Sequence, residues 1–476
     1  MAWDDAGLSH QSVPSEFAGP VWHFLAPHGK WSSLEQAEVT EKQGENAGID
    51  RDRQGYSMRL FDKTACDEML SHGTCLNTWR RDLLRLLVGI CALIASGGAG
   101  LSDQPLEIKI GYLREAPSRI RISLIDVPAA NDGLAGAQLA TDDDNATGRF
   151  LNQRYTLIER SLGEGDDPVA AMNALADQGA SFIVTSLDAD RLLKVADAGQ
   201  ARGETLINAS ALDERLREQD CRANVIHVAP TRSMLADALA QYLIWKKWNK
   251  WVLLRGSHEQ DVLFADALRH AAVRFGAKIV EEREFRDNGG ARRTDSGVAE
   301  IQRQMPVVTQ GLPAHDVLVA ADESEVFAGY LPFRTFDARP VAGSAGLVPT
   351  TWDAAFDQWG AVQLQNRFAK AFQRPMTAQD IQAWTAVRMI GEAAVRTGSG
   401  DSGKMLAYIK GPDFSVAAFK GQKLTLRDWN LQLRQPILLF DGRNTVSVSP
   451  QEGFLHQVSA LDTLGLDRPE TKCKFK

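Results

Sequence analysis

Cysteine is scarce in this chain, and hydrophobic runs long enough to cross a bilayer are missing. Five cysteines occur among 476 residues, and none forms a C-x-x-C pair. That excludes zinc-ribbon and thioredoxin-like chemistry. An excess of positive charge is lacking too: 53 Lys and Arg stand against 61 Asp and Glu, for a formal net charge of −8. No run of five or more Lys/Arg occurs, so nothing supports a nucleic-acid partner. H-E-x-x-H and G-x-S-x-G are both absent, which leaves zinc-protease and serine-hydrolase chemistry without a signature. We therefore expect no enzyme, no metal and no cofactor.

The greasiest stretch is RRDLLRLLVGICALIASGGAG, residues 80–100. Its ten-residue apolar centre, 86–95, would make about 15 Å of helix, half of the roughly 30 Å that a bilayer core needs. Arginines before it and small residues after it give the layout of a signal peptide. Residues 1–79 would then be a disordered or non-native extension, with Met69 the better start, and the mature protein would be periplasmic. Removing this part takes away Cys66, Cys75 and Cys91 and leaves Cys221 and Cys473. An oxidising compartment would allow those two to bond, although sequence separation says nothing about their distance.

From 106 onward, strand and helix patterns alternate. LEIKIGYL (106–113), RYTLIERSL (154–162), SFIVTS (181–186), ETLINAS (204–210), KWVLLRG (250–256), AKIVEEREF (277–285), HDVLVAAD (315–322) and RPVAGSAG (339–346) read as strands. Between them, DPVAAMNALADQG (167–179) has Asp167 to cap a helix, Pro168 to start it and Gly179 to end it. Such alternation implies parallel sheets with right-handed crossovers. The number of units calls for two α/β lobes, each doubly wound. In such sheets, ligands lie beyond the carboxyl ends of the strands. The candidate contacts are therefore Tyr112, Ser186, Asp188, Ser210, Ser257, His258, Asp322 and Glu323, with Trp352 in a later segment.

Several look-alike motifs lead nowhere. GSGDSGKM (398–405) spaces its glycines and lysine like a phosphate loop, but Met405 stands where magnesium needs a hydroxyl, and the expectation is a surface loop. TDDDNATG (141–148) lacks the glycine and glutamate of a calcium loop and is expected to be a solvated helix end. Ser257 and His258 are sequence neighbours, a poor geometry for a nucleophile and its base. Trp245, Trp248 and Trp251 fit either core packing or a docking patch.

At this point a resemblance enters. The stretch from IDVPAANDGLAGAQLATDDDNATG to GASFIVTS, then VIHVAPTRSMLADALAQYL, WVLLRGSHEQDVLFADALRHAAVRFGAKIVEE and DIQAWTAVRMIGEAAVRTG, resembles type I periplasmic substrate-binding proteins of ABC transporters, the leucine/isoleucine/valine-binding kind. CRANVIHVAPTRSMLADALAQYL, VPTTWDAAFDQWGAVQLQNRF and LDRPETKCKF are similar to the branch associated with PQQ-dependent alcohol oxidation. The resemblance implies two lobes, 106–229 plus 352–425 and 230–351 plus 426–450, joined by a three-strand hinge. A tail, 451–476, would pack back on the first lobe. It also implies a small-molecule ligand in the cleft, an ABC permease as partner, a monomer and no catalytic step. A periplasmic sensor with the same clamp is the alternative.

One departure stands out. Where amino-acid-binding relatives have a Ser/Thr-rich turn for the ligand carboxylate, this chain has Ser186-Leu187-Asp188-Ala189-Asp190. Asp188 would either repel a carboxylate or simply cap the helix that starts there. The family's acidic residue for the ligand amine falls near Asp322 or Glu323. A polar or cationic ligand is thus favoured over a simple amino acid.

Overall fold

The structure is a computed structural model that describes residues 104–115, 128–286 and 295–475, all within the unit formed by residues 100–476. The expected signal peptide and the extension before it lie outside the described residues.

The first sheet is built from β1 (Leu106–Glu115), β2 (Gln153–Leu162), β3 (Phe182–Ser186), β4 (Thr205–Asn208) and β5 (Val225–His227). All its pairings are parallel, in the order β2-β1-β3-β4-β5. Three helices connect these strands: α1 (Leu134–Leu151), α2 (Pro168–Ala176) and α3 (Ala189–Arg202). Local chemistry fixes their ends. Asp167 accepts hydrogen bonds from the Val169 and Ala170 amides, Pro168 opens α2, and Gly203 closes α3 at φ 80°, where a side chain would be strained.

Both faces of this sheet are covered. Ile110, Tyr112 and Val184 point to one side with α1, while Leu113, Ile183 and Leu206 point to the other with α2 and α3. Each fully buried aliphatic side chain of this kind contributes about 1.5–3 kcal/mol.

The chain then leaves β5 for α4 (Arg232–Trp245) and builds a second parallel sheet. It comprises β6 (Lys250–Arg255), β7 (Lys278–Glu284), β8 (Val317–Ala321) and β9 (Val341–Gly343), in the order β7-β6-β8-β9. α5 (Glu259–Phe275) and α4 pack on one face, and α6 (Asp295–Val308) and the short α7 (Leu331–Arg334) lie with the other. Trp251 is buried in this core, while Trp245 is 54% exposed.

After β10 (Val348–Thr350), α8 (Ala361–Phe372), α9 (Ala378–Thr397) and α10 (Ser402–Ile409) return to the first lobe. There follow the short β11 (Val416–Ala417) and β12 (Lys423–Leu424), then β13 (Ile437–Phe440) and β14 (Thr445–Ser449), which join β10 in a small antiparallel sheet beside α4.

Two local expectations change. Residues 141–148 lie in the closing turns of α1, which runs on to Leu151 with Asp142, Ala146 and Thr147 exposed, but the segment is not solvated throughout, because α9 packs along it. Gly391 lets the two approach so closely that a Cβ there would fall 2.3 Å from an Asp144 oxygen. Asp144 is therefore buried, accepts from Arg388, and has its pKa pushed up to about 7 by burial. In 398–405, only the first residues are loop. Asp401 caps α10 by accepting from the Lys404 amide, so Lys404 lies in a helix.

Beside the edge strand β5 of the first sheet, Arg217 is buried and donates to Ala211 O, Asp213 O, Ala229 O and Gln432 Oε1. Cys221 is bonded to Cys473, with Cα atoms 5.7 Å apart. The tail touches both lobes on its way there: Gly465 N–H donates to Asp237 of α4, and Lys472 N–H donates to Glu218.

Candidate functional site

The carboxyl ends of β1, β3 and β4 form one rim, and those of β6, β8 and β9 form another. Arg232, in the first turn of α4, links them. Its guanidinium takes Glu323 in a bidentate grip at 2.8 and 3.0 Å and lies 3.3 Å from Asp213. Asp213 follows β4 on the first lobe and Glu323 follows β8 on the second. Nearby, the Ser233 amide donates to Glu214 at 2.7 Å. Arg232 thus joins the loop after β4 to the loop after β8, and the strand-end loops around it are the candidate site.

On the first rim, Asn208 shapes the turn after β4: its side chain accepts from the Ser210 and Ala211 amides and donates to Ala211 O. The Ser210 hydroxyl donates to Leu187 O, tying this turn to the one after β3. Gln379, from the start of α9, donates to Ser186 Oγ at 3.2 Å and Ala209 O at 2.9 Å. The Tyr112 hydroxyl is fully buried beside Ser186 but makes no hydrogen bond of ordinary geometry. Burial, the largest influence, pushes its pKa up. Gly133 leaves room for it, since a Cβ there would sit 2.5 Å from the phenolic oxygen. Close by, Thr377 donates to Asp132, whose pKa burial raises. Asp380 accepts from the Gly133 amide and pairs with Arg374.

Asp188 acts as an N-cap, accepting from the Arg191 amide at 2.8 Å. Its own amide is taken by Glu115, the last residue of β1, at 2.7 Å. The other Glu115 oxygen accepts from the Arg191 guanidinium. Burial nonetheless dominates and raises the Glu115 pKa. A carboxylate held by a helix-N-terminal amide and an arginine is an anion site with its anion in place.

On the second rim, the acids are held by amides. Asp322 is 1% exposed and accepts from the amides of Val326, Phe327 and Ala328 at 2.7–2.9 Å. Burial raises its pKa despite those bonds. Asp261, also buried, accepts from the His258 and Ser324 amides and from the Ser324 hydroxyl. Gly256 makes this possible, since a Cβ there would lie 2.1 Å from an Asp261 oxygen. Ser257 is exposed and His258 stands at the start of α5.

The strand-end loops carry Ser186, Asp188 and Ser210 on one side, and Ser257, His258, Asp322 and Glu323 on the other, while Tyr112 is buried in the core beneath the first. Trp352 belongs to the core instead. It is 2% exposed, stacks edge-on against Phe356 and donates from its indole to Gln365. Asp322 is on the rim, but its carboxylate is engaged by its own loop. Sequence reading missed Glu115, Arg191, Arg232 and Gln379. Glu115 ends β1, two residues beyond the strand read from the sequence, and Gln379 reaches the rim from 193 residues beyond Ser186.

A surface pocket of about 640 Å³ lined by Trp359, Arg367, Trp384, Arg388 and Phe419 lies elsewhere. It borders α1 at Asp143, about 15 Å along the helix from the rim. Its two arginines are already paired, with Asp143 and Asp144. Among the described residues, no cluster of three or more His, Cys, Asp or Glu could hold a metal, and no helix is long and apolar enough to cross a membrane.

Comparison with known proteins agrees with this fold. A family model described as periplasmic binding protein matches residues 126–305. No curated protein matches the sequence. Among solved structures, a periplasmic binding protein from Burkholderia mallei superposes with a TM-score of 0.57 at 14% identity, covering 77% of this chain and 98% of that one. An ABC-transporter solute-binding protein from R. palustris in complex with benzoate gives 0.55 at 14%, covering 78% and 100%. A branched-chain amino acid transporter substrate-binding protein from Streptococcus pneumoniae in complex with isoleucine gives 0.53 at 14%, covering 72% and 98%. The chain has the α/β fold of type I periplasmic binding proteins, and its residues 126–305 match that family.

Proposed function

We propose that this protein is the periplasmic solute-binding component of an ABC importer, taking up a small polar or cationic solute between its two lobes. The observation that carries this reading is the ion-pair bridge that Arg232 makes between Asp213, after β4 of one parallel sheet, and Glu323, after β8 of the other. Clefts of this kind bind by burying the solute among a few fixed polar groups, and closure of the two lobes is the form that a partner can recognise. The partner is an ABC permease, and the working form is a monomer. The first lobe comprises about 106–229 and 352–425, and the second about 230–351 and 426–450.

Export to the periplasm is supported by the 80–100 segment and by the family match. A link to PQQ-dependent alcohol oxidation rests on the sequence resemblance alone. The test is native mass spectrometry of the protein purified from its own periplasm. A co-purified small molecule, lost on unfolding and competed by the free compound, is the expected result. A ligand-free protein that turns over a substrate would overturn the reading.

A further inference from the structure

We propose that the surface pocket of about 640 Å³ beside α1, α9 and the β11–β12 hairpin is a second binding site, separate from the strand-end loops around Arg232, and that it takes a neutral ring-shaped sugar.

The backbone marks this pocket out. Two aromatic residues that line it, Trp359 and Phe419, hold φ at 56° and 55°. Bulky side chains rarely adopt this left-handed region, and strain of this kind gathers where a ligand is gripped. The two turns interlock. A Cβ at Gly421 would sit 2.6 Å from the Trp359 indole, and one at Gly360 would sit 3.4 Å from the Phe419 ring. The indole is pressed against the hairpin and is nevertheless 61% exposed. An indole left so far in solvent returns little burial energy for that strain.

Behind Phe419 lies Trp384, with ring centroids 5.7 Å apart and its indole N–H donated to Asp143 at 3.1 Å. Fixed aromatic rings thus stand beside polar groups whose charges are already matched. Asp143 accepts from Arg367, Asp144 accepts from Arg388, and the Lys420 ammonium donates to Gln435 at 2.7 Å. A cation would meet two guanidinium groups, and an anion would meet the Asp143 carboxylate with both arginines taken. Lys423 is exposed, where salt screens its pull on an anion. A pyranose suits such a wall. Its C–H face would pack on Trp359 and Phe419, and its hydroxyls would exchange hydrogen bonds with Thr147, Gln422 and the Arg367–Asp143 pair. The volume lies within the range of about 300–1,000 Å³ usual for small-ligand sites.

The test uses the purified protein with D-glucose, D-galactose, maltose and cellobiose as probes, and choline and benzoate as charged controls. N-bromosuccinimide oxidises exposed indoles, and mass spectrometry locates the oxidised tryptophans. Trp245, at the end of α4 and 54% exposed, is the internal reference. At least one sugar should protect Trp359 saturably, with half-protection at about 1 mM or below, and should leave Trp245 unprotected. Choline and benzoate should protect neither. Asparagine tolerates the left-handed region, so Trp359→Asn should keep the wild-type Tm while its calorimetric affinity for that sugar falls about tenfold or more.

No protection by any of the four sugars, equal protection of Trp245, protection of Trp359 by choline or benzoate, or unchanged affinity in Trp359→Asn would each overturn the proposal. If Trp359→Asn does not fold, protection of Trp359 in wild type decides. A solute held at the strand-end loops should stay bound to Trp359→Asn, so failure at this pocket and failure of the solute-binding reading are told apart.

Discussion

On the first rim, a guanidinium and one amide hold Glu115. On the second, three consecutive amides hold Asp322, and amides with a serine hydroxyl hold Asp261. The difference lies in what fixes the charge. Backbone amides cannot swing away, so the second rim is set by the path of the chain. The first depends on two side chains, each about a quarter to a third exposed, whose attraction is weakened by salt.

The sharpest way to break this comparison is Asp322→Ala. Three buried amides would lose their acceptor together, and we expect a loss of about 3 kcal/mol or more in urea unfolding. A loss below that of a surface substitution would show that the amides find water instead. Arg191→Ala should cost less, about 1 kcal/mol after allowance for its exposure. Its effect should shrink as sodium chloride rises from low to molar concentration, while that of Asp322→Ala should not.

Asp188→Ala removes only a cap and should cost about 1 kcal/mol or slightly less. Wild-type solute binding should survive it, because Asp188 holds the Arg191 amide of its own helix. If Asp188→Ala abolished binding at unchanged stability, Asp188 would be a ligand contact after all.

A last test concerns β5, at the edge of the first sheet. His227, in β5, is kept neutral by burial and by Arg217, which hold its pKa well below the usual 6.5. The unfolded chain takes up a proton near pH 6.5 and the folded one does not. His227 therefore favours folding above that pH, and this advantage is lost as pH falls through it. The Tm of wild type should decline between pH 7.5 and 5.5 more steeply than that of His227→Gln. Equal slopes would assign the acid response to other groups.

These contrasts also show what the sequence could reveal. The strands and helices were legible because their signals are local: Asp167 and Pro168 open α2, Gly203 closes α3, and apolar runs mark strands buried on both faces. The rim positions were legible too, because parallel strands deliver their carboxyl ends to one edge. What each rim residue touches was not. Asp322 reads as a ligand acid until the loop to Ala328 is seen to curl over it. Trp352 reads as a cleft aromatic until α8 supplies Gln365. Arg232 meets Glu323 across 91 positions, a separation that no window along the chain can bridge. Asp144 looked solvated in an acidic run because nothing nearby announces that α9 will cover it.

The Cys221–Cys473 bond closes a covalent ring across 252 residues. Every strand of the second sheet lies inside it. A single proteolytic nick at any loop between those cysteines therefore releases no fragment until the protein is reduced. On a denaturing gel such a molecule keeps its full mass and betrays the cut only after thiol treatment, whereas a nick at 163–167, outside the ring, separates the pieces at once.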